Sequence, residues 1–416
     1  MTEQLSSPAS NRLLIIGSGL AANRLLEELD FQHPFSEILL LDDEGVAHYN
    51  RIMLSPLLAG EVSLDTITPH DDHWYRARRV RRLSPWPVSR IDTQQQRVYA
   101  ENGDALCYDQ LVIATGSRSA LPALPGIDHP AVYGFRSLRD VDALLRAGEN
   151  AKRAIVVGGG LLGIEAAVGL RQRGLSVTLL HRNPVLMNRQ LDSEAAALLC
   201  DALAQRGIEV MTGVSPTAVL HSASGELRGL ALNRQGVMRE LNADLLVFAT
   251  GIHANTELAQ QAGLTVNRGI VVDTALQSSA ERVFAIGECC EFDGNSYGLV
   301  APIWDQVRVL AAQLRGDHAA RYSERQHLTK LKVSGLDVHS MGQFIAEPGD
   351  DCLCLSDPAR GVYKKLLLRN SRLIGLLCLG DIRDSLWYAE LLESGQSVAP
   401  LRQQLLFGRA YCDGIA

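Results

Sequence analysis

Two glycine-rich stretches carry the clearest chemistry in the sequence. Gly17-Ser18-Gly19-Leu20-Ala21-Ala22 has the form G-x-G-x-x-A, and Gly158-Gly159-Gly160-Leu161-Leu162-Gly163 the form G-x-G-x-x-G. Each follows a short apolar run and opens a stretch of helical periodicity. In such a turn the first glycine permits a tight bend and the second lets backbone approach a pyrophosphate. The phosphate charge then rests on the helix N-terminus. One motif alone is a weak signal. Two of them, 141 positions apart, pose the question of why one chain needs two dinucleotide pockets.

The residues that follow each motif differ. "EILLLDDE" ends a second strand in Asp42 and Asp43, acids placed to take ribose hydroxyls. "SVTLLHR" ends instead in His181-Arg182. An NAD-selective pocket usually has an acid there, whereas a planar guanidinium suits a 2′-phosphate. The second pocket therefore admits NADPH as well as NADH, with an exposed Arg182 as the alternative. Glu165 falls on the first turn of the second helix, where a carboxylate suits the helix dipole.

Elements must hold these residues in place. Residues 12–16 read as a buried parallel strand, and the helix after Gly19 runs through Leu29. "VSRIDTQQQRVYAENGDALCYDQLVIATG" reads as strands around an Asn102-Gly103 turn, ending at Ala114-Thr115-Gly116. "ALPALPGIDHP" reads as a domain connection. "ADLLVFATG" then repeats the theme, with Thr250-Gly251 in the place of Thr115-Gly116, and "ERVFAIGECCEF" supplies a strand ending at Gly287-Glu288. From about Tyr322 the pattern changes to strands joined by turns plus the helix "SLWYAELLESG". The expected fold is α/β: two Rossmann-like dinucleotide-binding domains and a C-terminal α+β domain. The boundaries are 1–120 and 250–323 for the first domain, 121–249 for the second and 324–416 for the third.

Composition excludes several classes. The chain has 416 residues, 46% of them hydrophobic and 21% charged, as in an ordinary soluble globular protein. A net charge of −7 argues against a nucleic-acid partner. The most apolar stretch, Ala154–Leu170, contains Glu165 and five glycines and is short for a membrane span. "MTEQLSSPASNR" lacks a secretory h-region, so the expected location is cytoplasmic. None of the eight cysteines forms C-x-x-C, so no metal or iron–sulfur site is expected, and the thiols should be reduced and mostly buried.

Taken together, Gly17-x-Gly19-x-x-Ala22, "YDQLVIATG", Gly158-x-Gly160-x-x-Gly163, "FATG" and "VFAIGE" resemble, in the same order, the two-dinucleotide flavoproteins of the pyridine nucleotide-disulfide oxidoreductase family. The resemblance covers nearly the whole chain. It implies FAD at the first motif and NADH or NADPH at the second, so that a nicotinamide can hand hydride to a flavin. "HYNRIMLSPLLAGE", "GECCEFDGNSYGLVAPIWDQ" and "DPARGVYKKLLLRN" look like the FAD subunits or domains of assimilatory nitrate and nitrite reductases. Nitrite reductases of that kind continue into iron–sulfur and siroheme domains, and this sequence stops at Ala416. The expectation is a stand-alone electron-transfer subunit that serves a nitrate reductase catalytic subunit. A rubredoxin or ferredoxin reductase of an oxygenase system has the same architecture. A redox-dependent interaction protein of the apoptosis-inducing-factor type is a third reading. A homodimer and a hetero-complex are both open.

By the same resemblance, Asn50 and Arg51 run past the flavin, where Arg51 contacts the FAD pyrophosphate or flavin edge unless it is a surface arginine. Val88 and Ala114 join them in the FAD pocket. Glu288 reaches the ribityl–pyrophosphate region, and Trp304 lies near the flavin face or in the core. Glu165 faces the nicotinamide and orients its carboxamide. Relatives that reduce disulfides carry a cysteine near residue 50, and ferredoxin reductases often carry a lysine after the serine of that segment. Here the segment reads "YNRIMLSPLL", with Ser55-Pro56 and no Cys before Cys107, which speaks against disulfide reduction. Cys289 and Cys290 suit packing better than redox work. "YRARRVRR" reads as a solvated helix end or as a docking patch for an acidic electron-transfer partner.

Overall fold

The computed structural model describes residues 11–333 and 336–413. The chain divides into two compact units. The first takes in the described residues of Met1–Met53, Val62–Arg118 and Ile252–Arg325. Its centre is a five-stranded parallel sheet in the order Val283–Ala285, Gln110–Ile113, Arg12–Ile16, Glu37–Leu41, Val80–Leu83. Apart from the edge strand Val80–Leu83, which carries Arg81 and Arg82, these strands are largely apolar, as strands covered on both faces are. Leu13, Leu14 and Ile15 have no exposure at all. The helix Leu20–Leu29 turns Ala22, Leu25, Leu26 and Leu29 inward and packs beside the helix Val300–Leu314. The strands Val88–Asp92, Arg97–Ala100 and Ala105–Cys107 form the antiparallel meander expected around Asn102-Gly103.

The second unit takes in Leu54–Glu61, Ser119–Gly251 and the described residues of Gln326–Ala416. Its parallel sheet runs Ile208–Thr212, Ser176–His181, Arg153–Val157, Leu245–Phe248, Val132–Tyr133. A C-terminal antiparallel sheet runs Thr329–Val333, Leu336–Gly342, Arg372–Leu379, Val362–Arg369, Asp351–Asp357, with the helix Ser385–Ser394 packed on it. This is the expected α+β domain. Asp192 ties it to the helix Ser193–Gln205. It caps the helix Ser193–Gln205 by accepting from the Ala195 N–H, and it also accepts from Tyr363 Oη at 2.8 Å and Lys365 Nζ at 2.7 Å.

Residues 54–61 group with the second unit rather than continuing the first, as a boundary at 120 would have them do. The helix Leu54–Ala59 lies against the helix Leu161–Gln172, where Gly169 leaves room for Leu58. Arg173 Nε donates to the Leu58 carbonyl at 2.6 Å and so fixes its far end. Leu58 is fully buried.

Three expectations about surface chemistry are corrected. Half of the cysteines are not buried: Cys107, Cys352 and Cys354 are exposed and Cys200 is intermediate. The arginines of "YRARRVRR" do not form one helix end, since the helix Asp72–Ala77 stops before Arg78 and Arg81 and Arg82 lie on a strand. Most of them are engaged within their own unit. Arg78 pairs with Asp30 and stacks on Trp74, while Arg82 pairs with Asp72 and lies over Tyr75. Glu165 is not in the first helical turn, because its helix starts at Leu161. The dipole of the helix start therefore does not explain it.

Candidate functional site

The three signature positions of each motif do different work. A Cβ on Gly17 would sit 2.4 Å from the Ala114 carbonyl oxygen, and one on Gly158 2.2 Å from that of Ala249. Both have positive φ, +100° and +127°. These positions accept only glycine, because the loop bends hard against the end of the neighbouring strand. A Cβ on Gly163 would overlap the Gly158 carbonyl at 1.7 Å, so the third glycine brings helix and loop together. Ala22 fills the same place in the first motif and is fully buried.

The second glycines face open space. Among the described residues, a Cβ on Gly19 would meet only Arg51 Nε, at 4.0 Å, and one on Gly160 nothing within 4 Å. Gly19 and Gly160 are the N-caps of their helices, and neither helix start receives a side-chain cap. Backbone N–H groups that begin a helix without a cap need an acceptor. An open cradle beside unsatisfied donors fits the pyrophosphate of a dinucleotide, and the chain builds it twice. Ser18, Leu20, Leu161 and Leu162 line these turns half-buried, with Ala21 buried behind.

Around the first loop, Arg51 pairs with Glu44 at 2.5 Å and lies over the Tyr49 ring. Asn50 caps the following turn by accepting from the Ile52 N–H. Asp42 is buried, and its Oδ1 accepts from the Gly45 N–H and from Ser84. Its Oδ2 is buried with no hydrogen-bond partner among the described residues. Asp43 is exposed. Glu288 accepts from Ser117 Oγ at 2.7 Å, and Gly287, at φ +86°, donates to Gln306 Oε1. Val88 begins its strand half-buried, and Trp304 packs half-buried with the Arg24 guanidinium 5.7 Å from its ring centroid. Thr115-Gly116 is clamped by Asn255: Thr115 Oγ1 donates to the Asn255 carbonyl, and Asn255 Nδ2 and N–H donate to the carbonyls of Thr115 and Gly116.

Around the second loop, the Gly159 N–H donates to His181 Nδ1 at 3.1 Å. That contact puts the ring proton on Nε2, which reaches Asn188 Oδ1. Burial lowers the His181 pKa, so the ring is neutral at physiological pH. Arg182, the next residue, is exposed. Thr250 Oγ1 donates to the Ala120 carbonyl, and Gly251 follows at φ +142°. Glu165 accepts from Ser55 Oγ at 2.6 Å. Burial raises the Glu165 pKa, and the serine hydroxyl pulls it part of the way back.

Several of these supports were missed from sequence: Asn23, His48, Ser55, Asn255 and Gln306. Asn23 Nδ2 and His48 Nδ1 both donate to the Ser18 carbonyl, at 2.6 and 3.0 Å. Burial drives the His48 pKa down to about 4, so this ring too is neutral near pH 7. Cys289 and Cys290 are fully buried, and burial raises both thiols, with Cys289 Sγ turned toward the Ile113 and Ile286 carbonyls. They lack the exposure and low pKa of reactive cysteines.

Paired open loops on paired parallel sheets, with a C-terminal antiparallel sheet, define a two-dinucleotide reductase. The chain belongs to the pyridine nucleotide-disulphide oxidoreductase family, which its residues 11–313 match, and residues 328–396 match the C-terminal domain of rubredoxin NAD+ reductase. The chain is 36% identical to the assimilatory nitrate reductase electron transfer subunit of Bacillus subtilis, over 95% of this chain and 51% of that one. It is 32% identical to the nitric oxide reductase FlRd-NAD(+) reductase of Vibrio vulnificus, over 81% of this chain and 87% of that one. A ferredoxin reductase structure from Rhodopseudomonas palustris matches with a TM-score of 0.83 and 25% identity, over 93% of this chain and 96% of that one. The chain spans about half the length, or somewhat less, of the nitrate and nitrite reductase relatives it matches. Among the described residues, no helix is long and apolar enough to cross a membrane.

Proposed function

We propose that this reductase takes hydride from NADH or NADPH onto FAD and passes electrons in the cytoplasm to a separate redox protein, a nitrate reductase catalytic subunit. In this reading residues 1–120 and 250–323 hold FAD, with Leu54–Glu61 set apart from them. Residues 121–249 hold the nicotinamide dinucleotide, and 324–416 form an interface domain. The observation that carries the assignment is the pair of open glycine cradles at uncapped helix starts.

FAD, when bound, accepts hydride and releases electrons one at a time. The chain's own residues bind and orient. The Gly19 loop and the start of its helix meet one pyrophosphate, with Arg51 beside it. Asp42 and Asp43 stand at the strand end for ribose hydroxyls. Ser117 sets Glu288, and Ser55 sets the Glu165 carboxylate that orients the nicotinamide carboxamide. No side chain need act as a nucleophile, and the buried thiols at 289 and 290 are poorly suited to disulfide reduction.

A second acceptor is favoured by a specific observation. The C-terminal match to rubredoxin NAD+ reductase, and the relative from Vibrio vulnificus that is covered over most of its length, favour a rubredoxin-type protein or a ferredoxin. Stopped-flow reoxidation of the reduced protein separates the two. Faster reoxidation by the nitrate reductase subunit than by rubredoxin or ferredoxin is expected, and the reverse order would transfer the assignment. The cofactor reading has its own test. Gly19→Val has room in the protein, so it should fold yet purify without FAD. Gly160→Val should keep FAD and lose nicotinamide binding.

A further inference from the structure

Ser18, at the crown of the first glycine loop, has a carbonyl held from within the unit by two buried side chains. Asn23 Nδ2 donates to it at 2.6 Å and His48 Nδ1 at 3.0 Å. Asn23 has no exposure and His48 has 5%. Both donors are themselves oriented. Tyr75 Oη donates to Asn23 Oδ1 at 2.5 Å, which turns the amide nitrogen toward the loop. The His48 ring lies 6.1 Å from that of His70, which stacks on Trp74 at 3.8 Å and bonds Glu27 through Nε2 at 2.8 Å. A carbonyl oxygen only accepts, so Nδ1 of His48 carries the ring proton.

The consequence follows from the peptide plane. In a trans peptide the C=O of one residue and the N–H of the next point in opposite directions. Drawing the Ser18 oxygen inward therefore turns the Gly19 N–H outward. Among the described residues, the Cβ position of Gly19 meets only Arg51 Nε, at 4.0 Å. The Gly19 N–H has no acceptor among the described residues. We infer that His48, together with Asn23, is a positioning residue that aims the Gly19 N–H at a pyrophosphate oxygen of the flavin dinucleotide. The inference rests on the reading that the first unit holds FAD. His48 lies thirty positions from the carbonyl it holds.

The test is reconstitution of deflavinated protein with FAD, followed by quenching of flavin fluorescence, in His48→Asn, His48→Gln and His48→Leu. Asparagine presents an amide N–H near the place of Nδ1, whereas glutamine carries it out toward the place of Nε2. His48→Asn should bind FAD close to the unaltered level, and His48→Gln and His48→Leu should bind it roughly three- to tenfold more weakly, the worth of one hydrogen bond. If His48→Leu does not fold, the Asn and Gln pair decides. Equal weakening in Asn and Gln, or no weakening in Gln, would overturn the positioning role. Gly19→Val separates the two levels. Loss of FAD there with unchanged affinity in His48→Gln defeats only this inference, and full FAD in Gly19→Val defeats the reading beneath it.

Discussion

Ser55→Ala isolates the one hydrogen bond that sets Glu165. The serine hydroxyl donates to Oε2 at 2.6 Å, and burial is the larger influence on the carboxyl, raising its pKa. Removing the donor takes away stabilisation of the ionised form only. A hydrogen bond to a charged group is worth about 1.5–3 kcal/mol when well made, and partial solvent access trims this toward the lower figure. At about 1.4 kcal/mol per decade, the proton affinity of Glu165 should rise about tenfold or more. If the carboxylate accepts the nicotinamide carboxamide, nucleotide affinity falls as Glu165 takes up its proton. The pH midpoint of NAD+ binding to the oxidised protein should then move upward in Ser55→Ala. Stability gives an independent reading of the sign. A carboxyl with a raised folded pKa contributes stability below its unfolded pKa, and that contribution is lost as pH rises through the folded value. The variant should therefore lose more stability at neutral than at acid pH. Titration with NAD+ from about pH 5 to about pH 9, with urea melts at the two ends, measures both effects. Glu165→Gln should bind nucleotide with no such pH midpoint. A midpoint that stays put or moves downward in Ser55→Ala would refute the coupling.

Arg182→Ala should weaken NADPH binding far more than NADH, by about ten- to a hundredfold if the guanidinium takes the 2′-phosphate; equal changes in the two KM values exclude that role. Asp192→Ala removes a helix cap and an ion pair that is largely buried, with side-chain exposures of 14% for Lys365 and 13% for Asp192. It should cost about 2–4 kcal/mol in urea melts, and Asp192→Asn, which keeps the cap, should cost less. Burial works against the Asp192 carboxylate, but Lys365, the Ala195 N–H and Tyr363 outweigh it and lower its pKa. Its contribution is therefore present above the unfolded pKa and lost as pH falls through the folded one, so the gap between unaltered protein and Asp192→Asn should narrow in acid.

What could be read in the sequence was what the backbone alone demands. Gly17 and Gly158 meet carbonyls at distances no Cβ tolerates, and Gly163 meets the loop itself, so their spacing is a steric requirement visible as a motif. The apolar strands at Arg12–Ile16, Glu37–Leu41 and Gln110–Ile113 were legible for a similar reason, since strands covered on both faces are mostly apolar, whereas Val80–Leu83, with two arginines at the sheet edge, was not. What escaped the sequence depends on contacts across long separations. Asn255 clamps Thr115 from 140 positions away, Ser117 reaches Glu288 across 171, and Ser55 reaches Glu165 across 110. A side chain that supports a loop from such a distance leaves no periodicity and no spacing rule. The grouping of Leu54–Glu61 with the second unit has the same origin. Its apolar residues suit either unit, and the choice is made by the space over Gly169 and the Arg173 guanidinium at the Leu58 carbonyl. Glu165 shows how the error passes into chemistry. Read as a first-turn acid, it is explained by the helix dipole and needs no partner. Past the first turn, half-buried and held by a serine from a segment more than a hundred residues earlier, it is a carboxyl whose pKa burial raises and one hydroxyl pulls part of the way back.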